Sequence, residues 1–170
     1  MRSTIFIHEK SKKTMALKVG DKAPAFKLYV SDKTEVSLDD FKGKKVVLLF
    51  FPLAYTGVCT NEMCSTSEDL DKYKALDAEV LGISVDSFAT LARFKQDYKI
   101  NFPLLSDFNK EVARAYDALY EEFVLGMKGV ARRSAFVIDR EGVIRYAEVL
   151  ESAGDLPNFE AIKQTLSEID

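Results

Sequence analysis

One segment constrains the fold more than any other: an unbroken apolar run, VVLLFF at positions 46–51, which lies between Gly43 and Pro52. Six consecutive apolar residues, rich in β-branched and aromatic types, are typical of a strand that is covered on both faces. Even when it is extended to position 55, the run is about half of the ~20 residues needed to cross a bilayer. We therefore predict a central strand of an α/β protein, with no membrane partner.

Helical and extended patterns alternate along the rest of the chain. Apolar or small residues recur at helical spacing from Cys59 to Tyr73, and they predict a helix over about 56–77. After it we expect a strand at 80–85, a helix from about 88 to 98, an extended piece at 102–105, a helix over about 109–116, a glycine-punctuated loop, strands at 135–138 and 143–149, and a last helix over about 158–169. Gly142 suits a hairpin turn between the last two strands. This order predicts a mixed central sheet with helices on both faces.

Composition limits the partners and the compartment. The 170 residues include 24 basic and 27 acidic side chains, a net charge of −3, which offers no basic surface for nucleic acid. We predict one domain over residues 16–170, preceded by a flexible extension at 1–15 whose apolar piece is far shorter than a secretory signal requires. Two cysteines are too few for a disulfide framework, so we expect a reducing, cytoplasmic location.

Scarce residue types narrow the chemistry further. The one histidine, His8, lies outside the patterned part of the chain, which argues against Cys–His and Ser–His–Asp catalysis and against most zinc sites. Neither of the common glycine-rich phosphate loops occurs. We therefore expect no metal and no cofactor, and the two cysteines remain as candidates for chemistry.

Cys59 falls in the first turn of the predicted helix, directly after the central strand. Exposed backbone N–H groups and the helix dipole favour an anion at this position, and a thiolate is such an anion. A lone intracellular cysteine is also a common small core residue. Position alone therefore leaves both a nucleophilic and an inert Cys59 open.

The residues before Cys59 carry a resemblance. Pro52, Thr56 and Cys59 reproduce the Pro-x-x-x-Thr/Ser-x-x-Cys motif of the peroxiredoxins, and the similarity continues through VGDKAP at 19–24, FPLLSD at 102–107 and RSAFVID at 133–139. The chain most resembles the Q type (bacterioferritin comigratory protein) and the alkyl hydroperoxide reductase E type. This resemblance implies a thioredoxin-like fold. It also implies a thiol-dependent peroxidase that reduces hydrogen peroxide and organic hydroperoxides through a cysteine sulfenic acid.

The same resemblance implies a role for each residue of the motif. Cys59 would attack the peroxide, Thr56 would hydrogen-bond it, and Pro52 would shield the thiol from water. Arg133 would hold the thiolate and polarise the peroxide. Each residue also has a simpler alternative: Thr56 as a helix cap, Pro52 as the end of a strand, and Arg133 as the partner of a surface acid.

Two further residues on the same helix match the Q type less specifically. Cys64 follows Cys59 by five residues, a spacing that resembles the resolving cysteine of many Q-type members, and a packing residue is the alternative. Glu62 matches an acidic position of that subfamily, and a solvated carboxylate on the helix surface is equally consistent with the sequence.

Arg132 and Arg133 are adjacent, and only one of them is expected to reach Cys59. Side chains alternate between faces along an extended segment, so the two arginines point in opposite directions if the strand at 135–138 continues back through them. The family pattern selects Arg133. Ala135 stands where threonine or valine is commoner, which affects local packing and not the register.

The resemblance implies a peroxide substrate and a thioredoxin-like or other thiol reductant as partners, while the sequence leaves both a monomer and a homodimer open. Two other hypotheses compete with the peroxidase. A thioredoxin-like disulfide carrier requires a Cys-x-x-Cys pair at the helix start, which the spacing of Cys59 and Cys64 does not provide. A redox-responsive binding protein or holdase would keep the pocket without turnover.

Overall fold

The computed structural model describes residues 16–170. The extension predicted at 1–15, with His8, lies outside the described residues, so the domain boundary at residue 16 stays a prediction. Within the described part of the chain, none of the helices is both long enough and apolar enough to cross a membrane.

The described residues form nine strands, and seven of them build one mixed sheet. Their bounds are β1 (Lys27–Val30), β2 (Glu35–Ser37), β3 (Lys45–Phe50), β4 (Ala78–Ser84), β5 (Leu104–Ser106), β6 (Leu119–Tyr120), β7 (Val130–Ala131), β8 (Ser134–Ile138) and β9 (Ile144–Val149). The large sheet has the spatial order β2-β1-β5-β4-β3-β8-β9. Strands β3, β4 and β5 run parallel, and β8 and β1 join this group antiparallel at either side. The carboxyl ends of β3 and β4 therefore meet at one edge of the sheet.

The α-helices have the bounds α1 (Gly57–Glu68), α2 (Leu70–Ala75), α3 (Phe88–Asp97), α4 (Glu111–Ala115) and α5 (Phe159–Glu168). The prediction of one helix over about 56–77 was wrong, because the chain bends at Asp69, whose ψ is 1°. The Asp69 carboxylate binds Lys163 of α5 at 2.6 Å and so ties the bend to the neighbouring helix. Leu70 and Tyr73 beyond the bend enter the same core as Met63, so the apolar spacing continues across it.

The central strand β3 is covered on both faces, as its apolar run predicts. Val47 and Leu49 pack in one core together with residues of α1, α2, α3 and α5. Val46, Leu48 and Phe50 pack in a second core, to which α4 contributes. Helices therefore lie on both faces of the mixed sheet, which confirms the predicted architecture.

Strands β8 and β9 form the predicted hairpin, and Gly142 adopts the left-handed φ of +82° in its turn. The pairing of β6 with β7 was not predicted, since that region reads only as a glycine-punctuated loop. The two-residue gap between β7 and β8 contains Arg132 and Arg133. Because the start of β8 pairs with the end of β3, both arginines lie close to the carboxyl end of β3.

Candidate active site

The site begins where β3 leaves the sheet. The amide of Phe51 still donates to the carbonyl of Ile83 in β4 at 3.0 Å, and the chain then forms a loop, residues 52–56, before α1 starts at Gly57. Cys59 therefore falls in the first turn of α1, as predicted, and its side chain is buried with 1% exposure. The first amide groups of a helix have no partner within the helix, so they favour negative charge at this position.

Arg133 reaches the sulfur of Cys59 from the other side of the site. Its Nη2 lies 3.2 Å from the Sγ atom, and the residue is only 1% exposed. Arg132 points away and contacts Glu151 at 3.2 Å. The observed contacts therefore place on the sulfur the arginine that the family pattern selects, and the alternative of a surface ion pair for Arg133 is wrong.

Glu62, one turn after Cys59, is the carboxylate partner of Arg133 in the interior. It is fully buried and forms an ion pair with Nη1 of Arg133 through its Oε2 atom, while its Oε1 atom has no hydrogen-bond partner among the described residues. The alternative of a solvated helix-face carboxylate is therefore wrong. Burial raises the pKa of Glu62 to about 7 even though Arg133 opposes the shift. Burial lowers the pKa of Arg133, but Glu62 and Cys59 outweigh it and hold that pKa above its ordinary value.

A backbone carbonyl is the third hydrogen-bond partner of the Arg133 guanidinium. The oxygen of Ala153, in the loop after β9, accepts hydrogen bonds from Nε at 3.1 Å and from Nη2 at 2.9 Å. Together with Glu62 and Cys59, this carbonyl fixes the plane of the guanidinium. Nothing in the sequence signals the contribution of Ala153, because the group that accepts is the main chain and any residue carries it.

Thr56 and Pro52 lie in the loop before Cys59. Thr56 is the residue before α1, but its side chain makes no capping bond, and its Oγ1 donates instead to the carbonyl of Leu53 at 2.8 Å. The hydroxyl is therefore not a helix cap. Pro52 is buried and comes two residues after the end of β3. The structure thus places both residues of the motif in the segment that leads to Cys59.

Cys64 lies on the same unbroken helix as Cys59, and both thiols are free. Five residues of an ideal helix separate their Cα atoms by about 8.6 Å, beyond the ~7 Å limit for a disulfide. Burial raises the pKa of the Cys64 thiol, and the carboxylate of Glu68 raises it further. In the wound helix Cys64 is therefore a half-buried, protonated thiol that cannot bridge to Cys59.

One neighbour of the loop was missed by the sequence reading. The carboxylate of Asp86, two residues after β4, accepts a hydrogen bond from the amide of Ala54 at 2.8 Å. A signal for Asp86 exists in the sequence, because a polar side chain just beyond the carboxyl end of a parallel strand lies at the edge where sites form. Within residues 16–170 no group of three or more His, Cys, Asp or Glu side chains is arranged to hold a metal ion.

A thioredoxin-like sheet with a buried cysteine at a helix start and a buried arginine on its sulfur defines a thiol peroxidase. The family comparison agrees: residues 19–147 match the AhpC/TSA family, and the chain belongs to that family. It is 41% identical over 146 residues to a candidate peroxiredoxin of Synechocystis sp., which covers 80% of this chain and 70% of the relative.

Solved structures show the same relationship. The chain superimposes on peroxidoxin BcpB from Mycobacterium tuberculosis with a TM-score of 0.80 and 28% identity, over 91% of this chain and 99% of that one. It superimposes on peroxiredoxin Q from Xanthomonas campestris with a TM-score of 0.74 and 28% identity, over 84% and 90% of the two chains. The predicted family and fold are therefore confirmed, and the protein is a thiol-dependent peroxidase.

Proposed function

We propose that Cys59 is the nucleophile that reduces the peroxide and that Arg133 is the charged donor that activates it. The observation that carries this proposal is the 3.2 Å contact between Nη2 of Arg133 and Sγ of Cys59, buried at the start of α1. A cation and the end of a helix dipole both stabilise a thiolate, which is the reactive form of cysteine.

The reaction is written as a displacement at oxygen. The Cys59 thiolate attacks the terminal peroxide oxygen, an S–O bond forms, and the O–O bond breaks with its electron pair on the departing oxygen. That oxygen takes up a proton and leaves as water or an alcohol, while Cys59 becomes a sulfenic acid. Negative charge moves from sulfur to oxygen during this step, so a donor such as Arg133 that spans both atoms stabilises the transition state.

Thr56 and Pro52 complete the proposed substrate site. Because the Thr56 hydroxyl gives its proton to the carbonyl of Leu53, its lone pairs are available to accept a hydrogen bond from the peroxide O–H group. Pro52 has no amide N–H and is buried at the start of the loop, so it excludes water without competing for the substrate. These two roles orient a small hydroperoxide rather than bind it tightly.

Cys64 is the proposed resolving residue. The Cys64 thiol gives up its proton and its sulfur attacks the sulfenic sulfur of Cys59, so that an S–S bond forms as the S–O bond breaks. The departing hydroxide takes up that proton and leaves as water, and an external dithiol of the thioredoxin type then reduces the disulfide. The distance along the helix requires α1 to unwind first, and unwinding also exposes Cys64 and removes the burial that keeps it protonated. The disulfide is therefore coupled to a change of conformation.

A reducing compartment, the cytoplasm, and assembly as a homodimer complete the proposal. The sparse use of cysteine, two residues in 170, supports the reducing compartment. The homodimer is supported by exposed aromatic side chains around a cleft of about 670 Å³, among them Tyr29, Phe88 and Phe108. Contiguous exposed apolar surface of this kind is typical of an interface. Sedimentation velocity tests the homodimer: we expect a dimer in the wild-type protein and a monomer in Phe108→Ser.

The function is tested by consumption of hydrogen peroxide and of an organic hydroperoxide with a dithiol reductant, in wild-type protein and in Cys59→Ser. We expect turnover in the first and none in the second. A disulfide carrier would instead reduce a disulfide substrate without peroxide, and a holdase would suppress aggregation without consuming peroxide. Either result in place of peroxide turnover would overturn the proposal.

A further inference from the structure

We propose that Asp86 is a positioning residue for the peroxidase reaction, acting by holding the loop at residues 52–56 in place through the amide of Ala54. The inference rests on the proposed function of Cys59. It concerns a residue outside the Pro-x-x-x-Thr-x-x-Cys motif, in the segment after β4, whereas Cys59 lies in α1 and Arg133 lies between β7 and β8.

The contacts of Asp86 are concentrated on one oxygen. Its Oδ2 accepts the amide of Ala54 at 2.8 Å and the hydroxyl of Ser84, a fully buried residue at the end of β4, also at 2.8 Å. The main-chain carbonyl of Asp86 accepts the hydroxyl of Ser106 at 2.6 Å. Asp86 is therefore fixed by β4 and β5, and it presents a rigid acceptor to the loop.

The loop has few other hydrogen bonds to the body of the protein, although Ala54 packs in the core with Met63 and the Tyr55 ring lies 5.1 Å from that of Phe94. Among the hydrogen bonds of residues 16–170, its remaining links are the carbonyl of Thr56, which accepts from Thr60 of α1 at 2.9 Å, and the hydroxyl of Tyr55, which donates to Asp97 at 2.9 Å. Tyr55 also has a left-handed φ of +65°, a conformation that a bulky residue keeps only when its surroundings impose it. The bond from Ala54 to Asp86 lies directly before this strained residue.

A shift at Ala54 is transmitted to the reacting groups. Thr56 follows Ala54 by two residues, and its hydroxyl is oriented by the carbonyl of Leu53, which belongs to the same peptide unit as the amide of Ala54. Asp86 therefore fixes the peptide whose oxygen orients Thr56. Catalysis by oriented donors is sensitive to displacements of about 1 Å, so loss of this anchor is expected to slow the reaction with peroxide.

The test compares Asp86→Ala with Asp86→Asn. Alanine removes the acceptor, whereas the side-chain oxygen of asparagine can take the place of Oδ2 and accept from both Ala54 and Ser84. We expect Asp86→Ala to lower the second-order rate constant with hydrogen peroxide at least tenfold and Asp86→Asn to stay within threefold of wild type. Asp71→Ala, which removes an exposed carboxylate of α2, serves as the control for loss of charge.

A second readout separates positioning from general destabilisation. Alkylation of Cys59 by neutral iodoacetamide needs the thiolate and access to it but no oriented donors. We expect the rate and the pH dependence of alkylation to be unchanged in Asp86→Ala while the peroxide rate falls. A parallel fall in both rates, an unchanged peroxide rate in Asp86→Ala, or an equal loss in Asp86→Asn would overturn the proposal.

Amide hydrogen exchange keeps the inference testable if the alanine variant does not fold. In wild-type protein we expect the amide of Ala54 to be protected, and we expect the same protection in Asp86→Asn. Rapid exchange at Ala54 in the wild type would refute the anchor. Failure of the proposed function itself is seen separately, as an absence of peroxide reaction in the wild-type protein before any Asp86 variant is measured.

Discussion

Replacing Arg133 by methionine removes the guanidinium and keeps an unbranched side chain of similar length. Two separate losses follow. The Cys59 sulfur loses a charged donor at 3.2 Å, and the fully buried carboxylate of Glu62 loses its ion-pair partner. The first loss acts on the rate of the reaction with peroxide, and the second acts on the free energy of unfolding.

The loss of rate and the loss of stability can each be given a magnitude. Removing one preorganised donor from a developing oxyanion typically costs about 10²–10³ in rate. Removing one partner of a buried ion pair costs up to about 3–5 kcal/mol of stability, because the remaining group either stays charged without compensation or must take up a proton. Adding Glu62→Gln to Arg133→Met makes both positions neutral and should recover much of that stability. It should not recover the rate, because the donor on Cys59 is still absent.

The assay is stopped-flow reaction with hydrogen peroxide, together with urea unfolding of the same samples. Arg132→Ala is the matched control, since Arg132 contacts Glu151 instead of the site, and its rate should stay within a few-fold of wild type. If the double variant regained the rate together with the stability, Arg133 would be a structural residue. If Arg132→Ala showed the larger loss of rate, the assignment of the two arginines would be reversed.

Further predictions concern the cysteines and Glu62. Cys64→Ser should still reduce one equivalent of peroxide at the wild-type rate but turn over slowly with a dithiol; unchanged steady-state turnover would make Cys64 a packing residue. Oxidation to the disulfide should increase amide exchange over residues 57–67, and equal protection in both redox forms would contradict the unwinding of α1. Burial raises the pKa of Glu62 from 4.5 to about 7. Between these two pH values the unfolded chain has lost the Glu62 proton while the folded protein still holds it, so the free energy of unfolding falls by about 3 kcal/mol as the pH rises from 4.5 to 7. Urea unfolding at several pH values should show this slope in the wild type and a flatter one in Glu62→Gln.

Local patterns predicted most of the architecture, because each pattern reports one element at a time. The apolar run ending at Phe51 identified β3, and the turn at Gly142 identified the hairpin. The bend at Asp69 was not predictable, since Leu70 keeps the helical spacing and the contact that fixes the bend comes from Lys163, 94 residues further along the chain. The boundary of a helix was thus set by a partner that its own sequence does not contain.

Some features of the site could likewise be predicted from the sequence, and others depend on contacts between distant parts of the chain. Cys59 and its motif are contiguous, so the sequence displays them together, and the alternation of the two arginines depends only on local geometry. The environment of Glu62 is different, because its burial and its pairing with Arg133 depend on how α1 lies against the end of β7. The sequence of a helix alone does not show whether a given carboxylate faces solvent or the protein interior.

The carbonyl of Ala153 has a consequence for how such a site is mapped. Residue 153 is already alanine, and side-chain substitutions leave main-chain oxygens in place, so a scan of side chains would not detect the acceptor that holds Arg133. Changes in chain path reveal it instead. We expect that deleting or inserting one residue in the loop after β9 would move this carbonyl oxygen and remove its hydrogen bonds to Arg133, although no side chain of the site had been substituted. The position of this acceptor therefore depends on the length of the loop after β9 more than on its side chains.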